Sequence, residues 1–383
     1  MTCQRDKFSL PDDVAYLNCA YMSPLPETVE MAGYQAVARK TLPYEIFPKD
    51  FFEPVANLKK QFAHLINADD FERIAIIPSV SYGMANVARN VKASPGQNIV
   101  LVEDIFPSNY YCWKRLSDES GAKLRIVQAP PQGEGRGAVW NERLLEAIDS
   151  QTVLVAVPNV HLADGTLFDL KALRQRSKEV GAMLVVDGTQ SVGAMPFDVA
   201  EIQPDALVCA GYKWLLGAYG FGMAYFGENF DGGTPIEENW INRLDSHRFE
   251  RLVDYQDEYQ PKAHRYCMGE NSQFISVPMQ AAALDMILSW GVENIQAYAR
   301  QLSEPYLAQL VSLGCWVEDA QWRGGHLVGV RFPKGVDLKM LQEKAAAAQV
   351  YVSFRGDSVR ISTHVWNNER DFEKLMEVLR NFK

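Results

Sequence analysis

The stretch Val185–Gly222, VVDGTQSVGAMPFDVAEIQPDALVCAGYKWLLGAYGFG, sets an acid and a lysine 26 positions apart, Asp187 and Lys213. Asp187 closes the apolar run Met183–Val186. Lys213 follows a second run, Ala206–Ala210, on a turn punctuated by Gly211 and Gly217. Both fall at the tips of strands that read as buried, where a charge is costly unless something uses it. An acid can pair with a cationic ring nitrogen. An amine flanked by Tyr212 and Trp214 can be desolvated into a nucleophile toward an aldehyde. Taken singly, the lysine would be a solvated surface group and the acid a helix N-cap as readily as a site residue. Gln190, three residues after Asp187, can add an amide to the same cleft.

Two further groups could complete a site. In IIPSVSYGMANVARN a strand ends at Pro78, and Ser79-Val80-Ser81 opens a helix with Gly83 in its first turn. Free backbone N–H groups at such a start bind anions, although a plain serine N-cap reads the same way. Arg360, in SVRIS, is an arginine in an otherwise apolar strand. Facing solvent is its default; facing inward, it could grip a carboxylate with two parallel hydrogen bonds.

The elements that must position these groups follow from hydrophobic patterning. Seven apolar runs cover 73–78, 98–103, 123–129, 152–158, 182–187, 206–210 and 221–226. Amphipathic segments separate them, among them a helix over Leu170–Val180. Apolar strands alternating with helices predict a parallel sheet covered on both faces, whose ligands bind beyond the strands' carboxyl ends. A long helical region, Met279–Leu313, leads to the strands HLVGVRF, VYVSF and SVRIS and a terminal helix, Glu369–Asn381. The expected division is an N-terminal arm and helix (1–40), a large domain (41–277) and a small α+β domain (278–383), the arm packing with either.

Composition narrows the function. The chain has 383 residues, 47 % of them hydrophobic, enough for two cores, and no run long enough to span a bilayer. Its net charge of −10 carries no basic stripe, which argues against a nucleic-acid partner. The six cysteines are scattered without a CxxC pair, so free buried thiols are expected rather than zinc ligands or disulfides. The start, MTCQRDKFSLPDD, lacks the apolar stretch of a signal peptide, and a cytoplasmic location is expected.

The D-x-x-Q word at Asp187 and Gln190, followed by Lys213 at this distance, resembles the class V aminotransferase branch of fold-type I pyridoxal-phosphate enzymes. That branch includes cysteine desulfurases, isopenicillin-N-epimerase-like proteins and, more distantly, kynureninases. The resemblance runs from Tyr16-Leu17-Asn18 to Arg360. It implies the type I transferase fold: a large domain with a mainly parallel seven-stranded sheet, and a small C-terminal domain. It also implies that Lys213 holds pyridoxal phosphate through its amine, Asp187 pairs with the pyridine nitrogen and Gln190 bonds the phenolic oxygen. Val80 (main chain) and Ser81, with Tyr212, would hold the phosphate; Phe106 would cover the ring; Arg360 would take the substrate α-carboxylate. Asn109 stands where kynureninases carry Asp, and His161 falls about where the family often has Asn near the ring. Asn18 is placed near the substrate. Asn271 and Ser272 lie in a segment that reaches the neighbouring subunit's phosphate, so a homodimer is implied.

The sequence also departs from the desulfurases. Their nucleophilic cysteine precedes the Arg360 strand, but here Arg355-Gly356-Asp357 closes that connection, and no cysteine follows Cys315. Only Cys3 and Cys19, on the irregular arm, could stand in. A classical cysteine desulfurase is therefore not expected. The expected activity is at Cα of a small amino acid, of aminotransferase or isopenicillin-N-epimerase type. A β-eliminating C–S lyase, a kynureninase-like hydrolase and a non-catalytic binding protein are the alternatives. A dinucleotide oxidoreductase is disfavoured because no G-x-G-x-x-G follows an early strand.

Overall fold

The computed structural model describes residues 1–380. The N-terminal arm contributes a two-residue strand β1 (Ala15–Tyr16), followed by helices α1 (Glu27–Lys40) and α2 (Glu53–Leu65). Strand β2 (Ile74–Ile77) then enters the large sheet and α3 (Val80–Asn90) leaves it. The alternation continues through β3 (Asn98–Val102), α4 (Tyr111–Ser120), β4 (Lys123–Val127), α5 (Arg136–Glu146), β5 (Thr152–Pro158) and α6 (Leu170–Val180). It closes with β6 (Met183–Asp187), the short α7 (Val199–Ile202), β7 (Ala206–Ala210) and β8 (Gly222–Phe226).

These seven strands, β2 to β8, are the seven apolar runs of the sequence, and they form one sheet in the order β2-β8-β7-β6-β5-β3-β4. All run parallel except β8, which is antiparallel to both β7 and β2. β2, β3, β6 and β7 are buried along nearly their whole length, as strands covered on both faces must be. β4, at the edge, is the exception: Lys123, Leu124, Arg125 and Ile126 are all at least partly exposed, and its charges blunt the free edge.

After a long irregular segment the chain resumes as α8 (Ser276–Trp290) and α9 (Val292–Ser312). The continuous helical region read from the sequence is thus two helices. The break is Gly291, whose φ of +76° leaves the α region. α8 packs on α1 and α2, and Val277, Ala283, Leu284 and Ile287 enter the core beneath the large sheet.

The small domain follows as β9 (Trp316–Val317), β10 (Leu327–Arg331), α10 (Leu338–Ala347), β11 (Val350–Tyr351), β12 (Ser353–Arg355), β13 (Ser358–Ser362) and α11 (Glu369–Leu379). Asn381, expected at the end of the last helix, lies outside the described residues. The run VYVSF, expected as one strand, is divided. Its first half, β11, pairs in parallel with β1 of the arm, and its second half, β12, pairs with β13 in the sheet β12-β13-β10-β9. The arm's strand thus packs with the small domain, where the Ser362 amide donates to the Leu17 carbonyl at 2.9 Å and Trp366 Nε1 to the Tyr16 carbonyl at 2.9 Å, while Phe8, Cys19 and Ala20 join the core of the large sheet. This pairing puts residues 18–22 against the end of β13 and beside the C-terminal tips of the large sheet.

Candidate active site

Two adjoining cavities lie beyond the carboxyl ends of β2, β3, β5, β6 and β7. The inner one, about 270 Å³, is lined by residues 78–81, Phe106, Ser108, Asn109, Asp187, Thr189, Gln190, Tyr212 and Lys213, among others. The outer one, about 590 Å³, shares Phe106, Leu162, Gln190, Tyr212, Lys213 and Tyr219 with it and extends to residues 20–22, Asp104, Arg355 and Arg360.

Lys213 sits where they meet. It is 8 % exposed, and its Nζ faces the rings of Phe106 and Tyr212, 5.6 and 5.7 Å from their centroids. Burial lowers its pKa to about 8, and the charge of Arg360 pulls the same way, while Asp187 opposes them. An amine in that state is a nucleophile and base near neutral pH.

Asp187 is the last residue of β6, and its backbone pairs with β5 on one side and β7 on the other. Burial pushes its carboxyl above the usual range, against hydrogen bonds from Thr189, the Lys213 charge and the Asn109 amide. The Thr189 amide donates to its Oδ1 at 3.0 Å. Asn109 is oriented by Trp113, whose Nε1 donates to Asn109 Oδ1 at 2.9 Å. A buried carboxylate with these partial partners and no salt bridge is suited to a cationic ring nitrogen.

Gln190 lines both cavities. Trp214 Nε1 donates to its Oε1 at 2.8 Å, its Nε2 donates to the Ala20 carbonyl at 3.2 Å, and His326 Nε2 donates to its backbone oxygen at 2.7 Å. Opposite, α3 begins at the cavity wall. Ser79 caps it, accepting from the Tyr82 amide at 3.2 Å, and Ser79 Oγ lies 2.9 Å from Ser81 Oγ. The first N–H groups of the helix, at Val80 and Ser81, are left to face an anion. Gly83 lets the helix approach the sheet, since a Cβ there would meet Val208 Cγ1 at 2.7 Å.

Arg360 is 2 % exposed and points inward from β13. One terminal nitrogen donates to the Leu162 carbonyl at 3.0 Å and the other to Ser353 Oγ at 3.2 Å, while Nε has no partner. Burial, then the neighbouring Arg355, bring its pKa down to about 10. Asn18 stands behind it, its Oδ1 accepting from Ser353 Oγ at 2.8 Å.

The structure thus brings together Val80, Ser81, Phe106, Asn109, Asp187, Gln190, Tyr212, Lys213 and Arg360. It separates three others. His161 lines neither cavity: its ring packs edge-on against Trp140 at 5.0 Å, with Nε2 3.1 Å from the Glu103 carbonyl, and Leu162 faces the cavities in its place. Asn271 and Ser272 are buried elsewhere, Asn271 Nδ2 donating to Asn242 Oδ1 at 3.3 Å. Thr189, Leu162 and Arg355 join the cavity walls without being evident as site residues in the sequence. Only Thr189, inside the D-x-x-Q word, carried a local signal. All six cysteines are free, and none lines either cavity. Cys19 is fully buried, and burial pushes its thiol well above the usual range. Among the described residues no three or more His, Cys, Asp or Glu side chains cluster as metal ligands would, and no described helix is long and apolar enough to cross a membrane.

The sequence profile of the Aminotransferase class-V family matches residues 44–375. The chain belongs to that family. Class V aminotransferases are pyridoxal-phosphate enzymes of the aminotransferase and lyase type, and the fold agrees. An uncharacterised aminotransferase of Bacillus subtilis (strain 168) is 28 % identical over 333 residues, 86 % of this chain and 84 % of its own. Isopenicillin N epimerase of Amycolatopsis lactamdurans is 24 % identical over 402 residues, covering 98 % and 97 %. A cysteine desulfurase of Salmonella newport (strain SL254) is 30 % identical over 322 residues, covering 81 % and 75 %. Among solved structures, a cystine C–S lyase bound to its product, cysteine persulfide, superposes with a TM-score of 0.85 at 19 % identity, covering 97 % of this chain and 98 % of its own.

Proposed function

We propose that this class V enzyme binds pyridoxal phosphate in the inner cavity and acts at Cα of a small amino acid, as an aminotransferase or an epimerase. The observation that carries the reading is a set of opposed, unpaired charges: Lys213, Asp187 and Arg360 are buried around two adjoining cavities, and none has an ionic partner among the described residues. A bound molecule that is cationic at one end and anionic at others would satisfy all three.

The residues divide the work. Asp187 would hold the ring nitrogen protonated, Gln190 would orient the ring through its phenolic oxygen and Phe106 would lie against its face. The amides of Val80 and Ser81 would bind the phosphate, helped by Tyr212. When bound, the cofactor supplies an aldehyde for the lysine and an electron sink for a carbanion at Cα. Arg360 grips the substrate α-carboxylate, which fixes Cα near Lys213 Nζ. Lys213, as the free amine, takes the Cα proton; returning it to the same or another carbon sets the outcome.

A desulfurase of the cysteine-nucleophile type is not supported. Arg355-Gly356-Asp357 closes β12 to β13 in a tight turn, and Cys19, whose thiol feels the charges of Lys213 and Arg360, is fully buried and held protonated by that burial. The same residues would serve β-elimination for a substrate with a leaving group on Cβ.

The test is proton exchange. Amino acids incubated in heavy water with the loaded protein are followed by NMR, together with assays for keto acid, ammonia and sulfide. Loss of the Cα signal is expected for at least one of them. No exchange with any would overturn the reading, and sulfide with ammonia would turn it to the lyase.

A two-fold dimer belongs to the same proposal. Met31, Tyr34 and Val37 on α1 are more than half exposed, as are Val253 and Tyr255 of the irregular segment, whose Trp240 packs on Phe51. A second copy covering these rings would also bring Asn271 and Ser272 toward the partner's phosphate site. Light scattering should give twice the chain mass of 43.1 kDa; a fully loaded monomer would contradict it.

A further inference from the structure

Arg355 belongs to the outer cavity yet plays no part in the chemistry described. It is the last residue of β12, and Ser353, two residues earlier, is the cross-strand neighbour of Arg360. Side chains two apart on a strand share a face, so Arg355 and Arg360 stand diagonally on one side of the hairpin, about 7 Å apart along it. Both line the outer cavity with Lys213. Among the described residues, Asp104 is the only acid in that lining, against three cations.

The two arginines differ in what already holds them. Arg360 is buried and anchored by Leu162 and Ser353. Arg355 is exposed and has no ion pair among the described residues. The acid beside it, Asp357, is taken by Arg331, which also pairs with Asp164 at 2.8 Å. Like charges on one face repel unless an anion lies between or beyond them, and Arg355 lowers the pKa of both Arg360 and Lys213. Such an arrangement costs stability in the empty protein and gains affinity for a doubly acidic ligand.

We infer that the substrate is an amino acid with a second carboxylate at the end of its side chain: Arg360 takes the α-carboxylate and Arg355, at the mouth, takes the terminal one. The assignment rests on the reading of the site given above and deepens it. Tyr21 and Tyr219, both more than half exposed and both lining the outer cavity, would offer the methylene chain an aromatic wall.

The test compares acid with isostere. The loaded enzyme is titrated with L-aspartate, L-glutamate, L-2-aminoadipate and L-norvaline, and binding is read from the visible absorption of the bound cofactor. Norvaline has the chain of glutamate without its second carboxylate. We expect at least one of the three acids to bind tenfold or more tightly than norvaline. In Arg355→Ala the ratio of dissociation constants, norvaline to that acid, should fall at least tenfold, while Arg355→Lys should keep most of it. Because Arg355 is exposed at a turn, neither change threatens the fold. If norvaline binds as well as every acid, or if Arg355→Ala leaves the ratio unchanged, the inference is wrong even though Cα exchange proceeds. If no amino acid exchanges its Cα proton, the reading beneath it fails as well.

Discussion

Two buried charge clusters adjoin through the loop after β5, where the Leu162 carbonyl accepts from Arg360 and Asp164 pairs with Arg136, and they are built on opposite rules. In the first, Arg136 at the start of α5 donates to Asp164 at 2.8 Å, to Glu318 at 2.9 Å, to Thr166 Oγ1 at 3.1 Å and to the Pro130 carbonyl at 3.1 Å. Asp164 also accepts from Arg331, and Glu318 from the Gly137 amide and Thr166. The guanidinium lies over the rings of Trp140 and Trp316. Every charge there has its partner, and the cluster ties α5 and the loop after β5 to the small domain. In the second, Lys213, Asp187 and Arg360 are also buried, but they line two adjoining cavities and no ion pair among the described residues joins their charges. The first cluster is complete as folded; the second is complete only with a ligand. Burial of charge therefore marks a site only where the partners are missing.

Changes to the two clusters should differ in kind. Lys213→Ala removes both nucleophile and base, so turnover should fall by roughly 10³-fold or more. The empty protein should keep its thermal midpoint or gain, because a buried cation without a partner has been removed. A large loss of stability would mean that Lys213 is structural, like Arg136.

Arg136→Met should do the reverse. It strands Asp164 and Glu318 as buried anions, at a cost of about 3–5 kcal/mol. Urea unfolding should read that loss, while turnover per folded molecule stays near wild type. An unchanged midpoint would show the closed cluster to be dispensable.

Asp187→Asn keeps shape and removes charge. The cofactor should still bind, and turnover should fall on the order of 10²-fold. The sign for stability follows from its pKa. The folded value lies above the ordinary 3.8, so ionised Asp187 costs the empty protein stability, and the cost grows as pH rises past that ordinary value. The amide carries no such cost, and the empty variant should match or exceed wild type at pH 7. Equal turnover in the two proteins would count against the assigned role.

The smallest effect concerns pH. With the Lys213 pKa near 8, lowered from 10.5, the reactive free amine accumulates as pH approaches 8. Uptake of pyridoxal phosphate by the empty protein should rise about tenfold per pH unit below that value and level off above it. Arg360→Leu removes a cation that holds this pKa down, so the midpoint should move upward. A midpoint that stays fixed would break the electrostatic link between the two residues.

What was legible in the sequence follows the same contrast. Asp187 and Lys213 could be found because each follows an apolar run that reads as a buried strand, where a charge stands out, and Gln190 came with Asp187 in the D-x-x-Q word. Arg360 was visible as an arginine inside an otherwise apolar strand. The closed cluster was not, because Arg136, Asp164 and Glu318 come from three separate segments and each reads as a surface charge until tertiary structure joins them. His161 shows the finer limit. It and Leu162 are neighbours in a loop, and only the fold decides that Leu162 faces the cavity while His161 turns toward Trp140. Arg355 reads as a turn residue, and its place beside Arg360 depends on the pairing of β12 with β13. The division of VYVSF was hidden too, since the partner of its first half, β1, lies some 335 residues earlier (Ala15 with Val350).

The most direct test of the open cluster is to fix the cofactor where it binds. The loaded protein is reduced with borohydride, digested and mapped by mass spectrometry. A single pyridoxyl adduct is expected, on the peptide containing Lys213, with Lys213→Ala carrying none. An adduct on another lysine, or no adduct in a protein shown to have bound the cofactor, would contradict it.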